Sequence, residues 1–230
     1  MSRLIPKKLI TESYPKSPIS EGYRMLRTNI EFSTIDYKLQ VIMVTSSKPS
    51  EGKSTTSANM AVAFAQSNKR VLLIDADLRK PSQHHLFGTS NRVGLTTILF
   101  KQKELSEVIQ PTNTENLWII HAGPTPPNPS ELLSSKQMAT LLSTVRGMYD
   151  VIIIDTPPIL SVTDAQIVAT QSDGVVLVVD SGKVKKDVAL KAKASLEHVN
   201  AKILGVVLNN INRNHSDSYS YYYYGEKNDA

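Results

Sequence analysis

The run Ser47-Lys48-Pro49-Ser50-Glu51-Gly52-Lys53-Ser54 follows the apolar segment Val41–Thr45 and precedes a stretch rich in small residues, Ala58, Ala61, Ala63 and Ala65. A glycine, a lysine and a hydroxyl in that order, at the start of a helix, suit the binding of phosphate. Successive backbone N–H groups and the positive end of the helix dipole converge on the anion. Lys53 adds a point charge for the β and γ oxygens, and the Ser54 hydroxyl is placed to ligate Mg²⁺. Lys48, Ser50, Glu51, Gly52, Lys53, Ser54 and Thr55 are therefore the expected nucleotide-binding positions. The pattern departs from G-x-x-x-x-G-K-S/T at its first position, where Ser47 stands for glycine. Serine has fewer backbone conformations open to it. A serine-rich turn that merely contains Gly-Lys-Ser is the plain alternative, and the strand before and helix after decide against it.

Three carboxylates can join this loop. Val71–Ile74 runs into Asp75-Ala76-Asp77-Leu78-Arg79, and Val151–Ile154 runs into Asp155-Thr156-Pro157-Pro158. Beside a bound nucleotide such groups hold Mg²⁺, often through water, or accept a proton from an attacking hydroxyl. One aspartate after one strand is more simply a turn or cap residue. Two apolar tetrads that each end in aspartate, beside a phosphate loop, favour chemistry.

These residues need a frame that brings them to one place. Short apolar runs at Val41–Thr45, Val71–Ile74, Leu117–Ile120, Val151–Ile154, Val175–Val179 and Ile203–Leu208 read as strands. Helical segments are expected over Lys53–Ser67, Asp164–Thr170 and Asp187–Val199. Strands apolar on both faces, alternating with helices, indicate an α/β fold with a mostly parallel sheet flanked by helices. Such sheets bind ligands at the edge where the strands end. Two polar loops interrupt the alternation: Asp77–Arg92, with His84 and His85 expected at the surface, and the proline-rich His121–Ser130. Trp118 is expected in the core.

The chain of 230 residues carries a net charge of +5 and has no cysteine, which excludes disulfides and thiolate metal sites. No apolar run is long enough to cross a bilayer, and no apolar segment follows the basic N-terminus to make a secretory signal. Residues 1–18, with three prolines, read as a poorly packed arm. Residues 19–214 form the expected folded domain and 215–230 a disordered tail. Ile19–Phe32 has helical spacing: Tyr23, Leu26 and Ile30 share one face, Glu21, Arg24, Thr28 and Glu31 the other, and Arg27 lies at the border.

The tail holds Tyr219, Tyr221, Tyr222, Tyr223 and Tyr224, five of the nine tyrosines in the chain. No aliphatic residue accompanies them, so they do not read as core. A low-complexity or adhesive segment is one reading. A set of phosphate acceptors is the other, and each phosphate would add about −1.5 to −2 of charge.

Taken together, the phosphate loop, the VLLIDADLR segment and the VIIIDTPP segment resemble the bacterial protein-tyrosine kinases that regulate capsule and exopolysaccharide synthesis. The resemblance extends over nearly the whole chain, including Glu21-x-x-Arg24-x-x-Arg27 and the terminal tyrosines. It implies a P-loop NTPase fold of the deviant Walker-A class and transfer of the γ-phosphate of ATP, with Mg²⁺, to tyrosine. Lys53 would contact the phosphates, Ser54, Asp77 and Asp155 would lie close to the metal, and Asp75 would accept the tyrosine proton. Asn209 and Asn210 become candidates for reading the adenine edge, or turn residues. Glu21, Arg24 and Arg27 would bridge subunits of a ring, where the plainer reading is a solvated helix face with ion pairs. A separate transmembrane activator would recruit this cytoplasmic chain to the inner face of the membrane. Protein substrates and the chain's own tail would be phosphorylated, and no nucleic acid is expected. The rival is a switch ATPase of the partition and septum-site class, which Lys48 invites and the tyrosine cluster opposes. A non-catalytic adaptor is opposed by the retained lysine, hydroxyl and carboxylates.

Overall fold

A computed structural model of the chain describes residues 9–33 and 39–211. Seven strands form one sheet: β1 (Val41–Ser46), β2 (Val71–Asp75), β3 (Gln110–Pro111), β4 (Leu117–Ile120), β5 (Val151–Asp155), β6 (Gly174–Asp180) and β7 (Ile203–Asn209). Their order is β3-β4-β2-β5-β1-β6-β7. All pairs are parallel except β3–β4, a two-residue antiparallel edge with Gln110 opposite Ile119. The C-terminal ends of the six parallel strands therefore share one edge.

The sheet is buried on both faces because β1, β2, β5 and β6 are apolar at every position before the last one or two. Side chains alternate between two cores. Val41, Met43, Leu72, Ile74, Ile152 and Ile154 face one, and Ile42, Val44, Val71, Leu73, Val151 and Ile153 face the other. The first core is closed by residues of α5 (Leu95–Leu99), α7 (Pro129–Leu133), α8 (Lys136–Arg146), α9 (Asp164–Ala169) and α10 (Lys186–His198). The second is closed by α2 (Pro18–Phe32) and α3 (Lys53–Ala65). Short helices α1 (Ile10–Ser13), α4 (Gln83–Phe87) and α6 (Leu105–Val108) complete the chain.

The helix expected from Ile19 begins one residue earlier, with Pro18 in the first turn and the Ser17 hydroxyl accepting the Ser20 N–H at 3.1 Å. Ile30 is buried and Leu26 packs against the core, as their spacing requires. The described part of the expected arm packs on the domain. Leu9 is buried, and the Thr11 backbone N–H and hydroxyl both donate to Asn59 Oδ1 at 3.1 and 2.8 Å. A polar side chain within α3 thus holds the arm, a partner far away in sequence. One element lies inside a segment read as loop, α4 within Asp77–Arg92, and α7 begins at the end of the other, His121–Ser130; the short strand β3 is not among the expected strands. The eleven-residue α8 has a Ser135 cap and buries Met138, Leu141, Leu142 and Val145 at helical spacing. The last expected strand proves to be a sheet edge, with Val206 and Leu208 55% and 56% exposed. Trp118 is half-buried and meets the Tyr149 ring edge-on at 5.5 Å.

Candidate active site

The loop 47–52 leaves β1 and enters α3 at Lys53. Ser50 and Gly52 both take the left-handed conformation, with φ of 67° and 93°, a backbone geometry that recurs in anion-binding loops. At Gly52 only glycine fits: a Cβ there would come within 2.1 Å of Asn209 Nδ2. That nitrogen donates to the Glu51 carbonyl at 2.9 Å.

Glu51 shows how the loop tolerates Ser47. Its carboxylate is buried, and Oε1 accepts the Ser47 hydroxyl and the Lys48 N–H, each at 2.5 Å. Oε2 accepts the Asp180 N–H at 3.3 Å, tying the loop to the end of β6. Asn210 donates to Asp180 Oδ2 at 2.8 Å. Both asparagines at the end of β7 thus brace the phosphate loop, Asn209 directly and Asn210 through Asp180. Lys48, Ser50 and Thr55 are exposed at the loop and the first turn of α3.

The lysine, the hydroxyl and the three acids converge. Lys53 Nζ lies 2.8 Å from Asp77 Oδ2, 3.5 Å from Asp155 Oδ1 and 3.1 Å from Ser54 Oγ. Asp75 and Asp155 are cross-strand neighbours on β2 and β5. Asp75 Oδ1 accepts the Asp77 N–H at 3.2 Å, while Oδ2 accepts the Ser82 and Gln83 N–H groups at 3.1 and 3.0 Å. Burial works against the charge of Lys53, but Asp155 and Asp77 outweigh it and raise its pKa, so it stays an ammonium. Burial, reinforced by the Asp155 charge, pushes Asp75 up to about 8. Burial also raises Asp155, against the opposing pull of Lys53.

Ser54 Oγ, Asp77 and Asp155 offer oxygen donors of the kind Mg²⁺ takes, and Asp155 Oδ1 is buried with no hydrogen-bond partner among the described residues. Among those residues no group of three acidic or histidine side chains forms a self-sufficient metal cage. The set fits an ion that keeps its waters and shares phosphate oxygens.

Reading the sequence alone missed several participants. Gln83, inside the expected polar loop, is fully buried, and its side-chain amide donates to Asp155 Oδ2 at 2.8 Å. Arg79 Nε and an Nη donate to the two oxygens of the buried Asp164 at 2.9 and 3.0 Å, and Ser130 Oγ donates to the same carboxylate at 2.6 Å. Burial would raise Asp164, but Arg79 and Ser130 hold it below the usual carboxylate range. This network joins the loop after β2 to the first turns of α7 and α9. Only spatial proximity reveals it, since Arg79 and Asp164 are 85 positions apart. His84, expected at the surface, is half-buried. Its ring lies 6.5 Å from the ring of buried His121, whose pKa burial lowers to about 4.

Glu21, Arg24 and Arg27 lie away from this site. Arg24 pairs with Glu21 at 2.6 Å and reaches the Pro15 carbonyl at 2.8 Å. Arg27 donates to the Ala63 carbonyl at 3.1 Å, at the opposite end of α3 from Lys53. Tyr219, Tyr221, Tyr222, Tyr223 and Tyr224, with the rest of the expected tail, lie outside the described residues.

The family described as an AAA domain matches residues 39–203. The chain is 49% identical over 216 residues to "Tyrosine-protein kinase YwqD" of Bacillus subtilis (strain 168), covering 94% of this chain and 91% of that protein. It is 45% identical over 218 residues to "Putative tyrosine-protein kinase CapB" of Staphylococcus aureus, covering 95% of each. Among solved structures, the kinase domain of Escherichia coli tyrosine kinase ETK superposes with a TM-score of 0.88 at 34% identity, covering 97% of this chain and 87% of that one. A septum site-determining protein MinD from Pyrococcus horikoshii, complexed with Mg-ADP, shares the fold alone, with a TM-score of 0.63 at 24% identity over 74% of this chain and 70% of that one.

Proposed function

The chain belongs to the bacterial tyrosine-protein kinases, and on that premise we propose that it phosphorylates, in trans, the tyrosine cluster of other copies of itself. Protein substrates of exopolysaccharide or capsule synthesis would be further acceptors. The observation that carries this is the convergence of Lys53, Ser54, Asp77 and Asp155 within ion-pair or hydrogen-bond distance on the loop edge of the sheet.

In this reading Lys53 exchanges Asp77 and Asp155 for the phosphate oxygens of ATP. The backbone N–H groups of the loop around Ser50 and Gly52, with the N-terminus of α3, would cradle the phosphates. Ser54, Asp77 and Asp155 would hold Mg²⁺, which neutralises charge on the transferring phosphoryl group. Asn209 and Asn210, which brace the loop beside β6, would flank the nucleotide base. A base whose pKa lies near the working pH is the effective one. Asp75, raised to about 8, meets that condition. Asp77, whose Oδ2 lies 2.8 Å from Lys53 Nζ, is the second reading. D75N and D77N separate the two: the base variant keeps Mg²⁺-dependent ADP binding and loses phosphotransfer, and the metal variant loses both.

Glu21, Arg24 and Arg27 would contact neighbouring subunits of a ring, which raises the effective concentration of tail near each active site. No described helix is long and apolar enough to cross a membrane. A separate transmembrane activator would supply attachment to the inner face of the membrane. The deciding experiment mixes full-length Lys53→Met with active protein cut after Asn214 and detects phosphotyrosine. Labelling of the Lys53→Met chain supports transfer in trans. Phosphate release from ATP with no labelling supports the switch-ATPase reading instead.

A further inference from the structure

We infer that Gln83 is a positioning residue for the kinase reaction: its side-chain amide holds Asp155 Oδ2 so that Oδ1 alone remains open toward Lys53.

Gln83 begins α4 and contacts the ends of β2 and β5 and the start of α3. Its backbone N–H donates to Asp75 Oδ2 at 3.0 Å. Its side-chain Nε2 lies 2.8 Å from Asp155 Oδ2, 3.0 Å from Ser57 Oγ and 3.1 Å from the Ser54 carbonyl. The orientation of the amide is fixed by chemistry. A carboxylate and a carbonyl only accept, so the nitrogen must face them. One residue therefore links the strand ends that carry Asp75 and Asp155 to the first turns of α3.

The two oxygens of Asp155 are consequently unlike. Oδ2 is occupied by Gln83, whereas Oδ1 has no hydrogen-bond partner among the described residues and lies 3.5 Å from Lys53 Nζ. Without the amide, Oδ2 would lose its donor and nothing on that side would stop the carboxylate from turning. Gln83 engages Asp155 through its amide nitrogen, and its Oε1 is buried with no hydrogen-bond partner among the described residues. Outer partners of this kind orient the ligands they touch, and their loss lowers metal affinity or activity roughly 10–100-fold.

The inference rests on the assignment of Asp155 to the metal shell, and the test separates the two. A fluorescent ADP analogue is titrated onto the full-length protein with and without MgCl₂, for wild type, Q83M, S57A and D155A, with thermal unfolding of each. Methionine matches glutamine in shape and cannot donate. Q83M should raise the MgCl₂ concentration for half-saturation roughly 10–100-fold, with metal-free ADP affinity and melting temperature near wild type. In kinase assays its kcat should fall while KM for ATP at saturating Mg²⁺ changes less than threefold. S57A, which removes another acceptor of the same amide without touching Asp155, should leave the Mg²⁺ requirement within about twofold. An unchanged Mg²⁺ requirement in Q83M, with D155A shifted, overturns the role of Gln83 alone. An unchanged requirement in D155A overturns the metal assignment beneath it. Loss of metal-free ADP binding in Q83M, or an equal shift in S57A, shows that Gln83 merely supports the fold and overturns the inference.

Discussion

Replacing Glu51 by valine should expose what the missing first glycine of the phosphate loop requires. The Ser47 hydroxyl and the Lys48 N–H each lose an acceptor at 2.5 Å, and the Asp180 N–H loses a longer one at 3.3 Å. Ser47 and Asp180 are buried, so water does not replace the lost partner. A buried donor left unpaired costs about 1–3 kcal/mol. Two such donors, part of a third and a small return from burying valine give a net loss of about 2–5 kcal/mol. The second substitution is more informative. In wild type, S47G removes a good hydrogen bond and should cost about 1–2 kcal/mol. In E51V it removes an unpaired hydroxyl and should restore about 1 kcal/mol. The effect of S47G therefore reverses sign with its partner, a coupling of about 2–3 kcal/mol in a double-mutant cycle. Urea unfolding of the four proteins measures it, and ADP titration shows whether affinity follows. If S47G destabilises both backgrounds alike, the hydroxyl does not depend on Glu51 and the reasoning is refuted.

Other perturbations test the remaining parts of the site. The folded pKa of Asp75, about 8, lies above its unfolded value near 3.8, so its favourable contribution is complete below the unfolded value and disappears as pH rises toward 8. The stability of D75N relative to wild type should thus increase from pH 5 to pH 8 in urea unfolding, and a constant difference would contradict the raised pKa. D164A should cost about 1–3 kcal/mol, with a large share coupled to Arg79 in a cycle with R79A. Additive losses would show that the bidentate pair is incidental. G52A should weaken ADP binding more than tenfold, since it adds a Cβ 2.1 Å from Asn209 Nδ2 at a φ of 93°. G52A/N209A should recover only part of that loss, because the left-handed strain of about 1–2 kcal/mol remains; full recovery would assign the whole effect to the clash.

Local pattern carried much of this in advance. Apolar tetrads gave the strands of the buried sheet, and the strand-loop-helix context identified the phosphate loop despite Ser47. Edge strands were harder: Ile203–Leu208 reads like an interior strand although Val206 and Leu208 are more than half exposed. Periodicity does not state what lies beyond the sheet. Leu9 and Thr11 sit among prolines and charges, and only Asn59 shows that they are held. The roles of Gln83, Asp164 and Glu51 were invisible for a related reason. Each depends on partners brought together by the sheet order, as when Gln83 reaches Asp155 across 72 positions. The sequence motif located the Gly-Lys-Ser turn at the start of α3; the supports behind it came from tertiary proximity.

The bracing of the phosphate loop by the last strand also sets a timetable. Ribosomes deliver the loop early, but Asn209, which holds the Glu51 carbonyl, is about 155 residues further on than Ser54. At translation speeds of about 5–20 residues per second, that interval is on the order of ten to thirty seconds. Throughout it the nascent polypeptide lacks the braces that shape its nucleotide pocket. Any nucleotide that met the chain in that interval would find the loop without its β7 support.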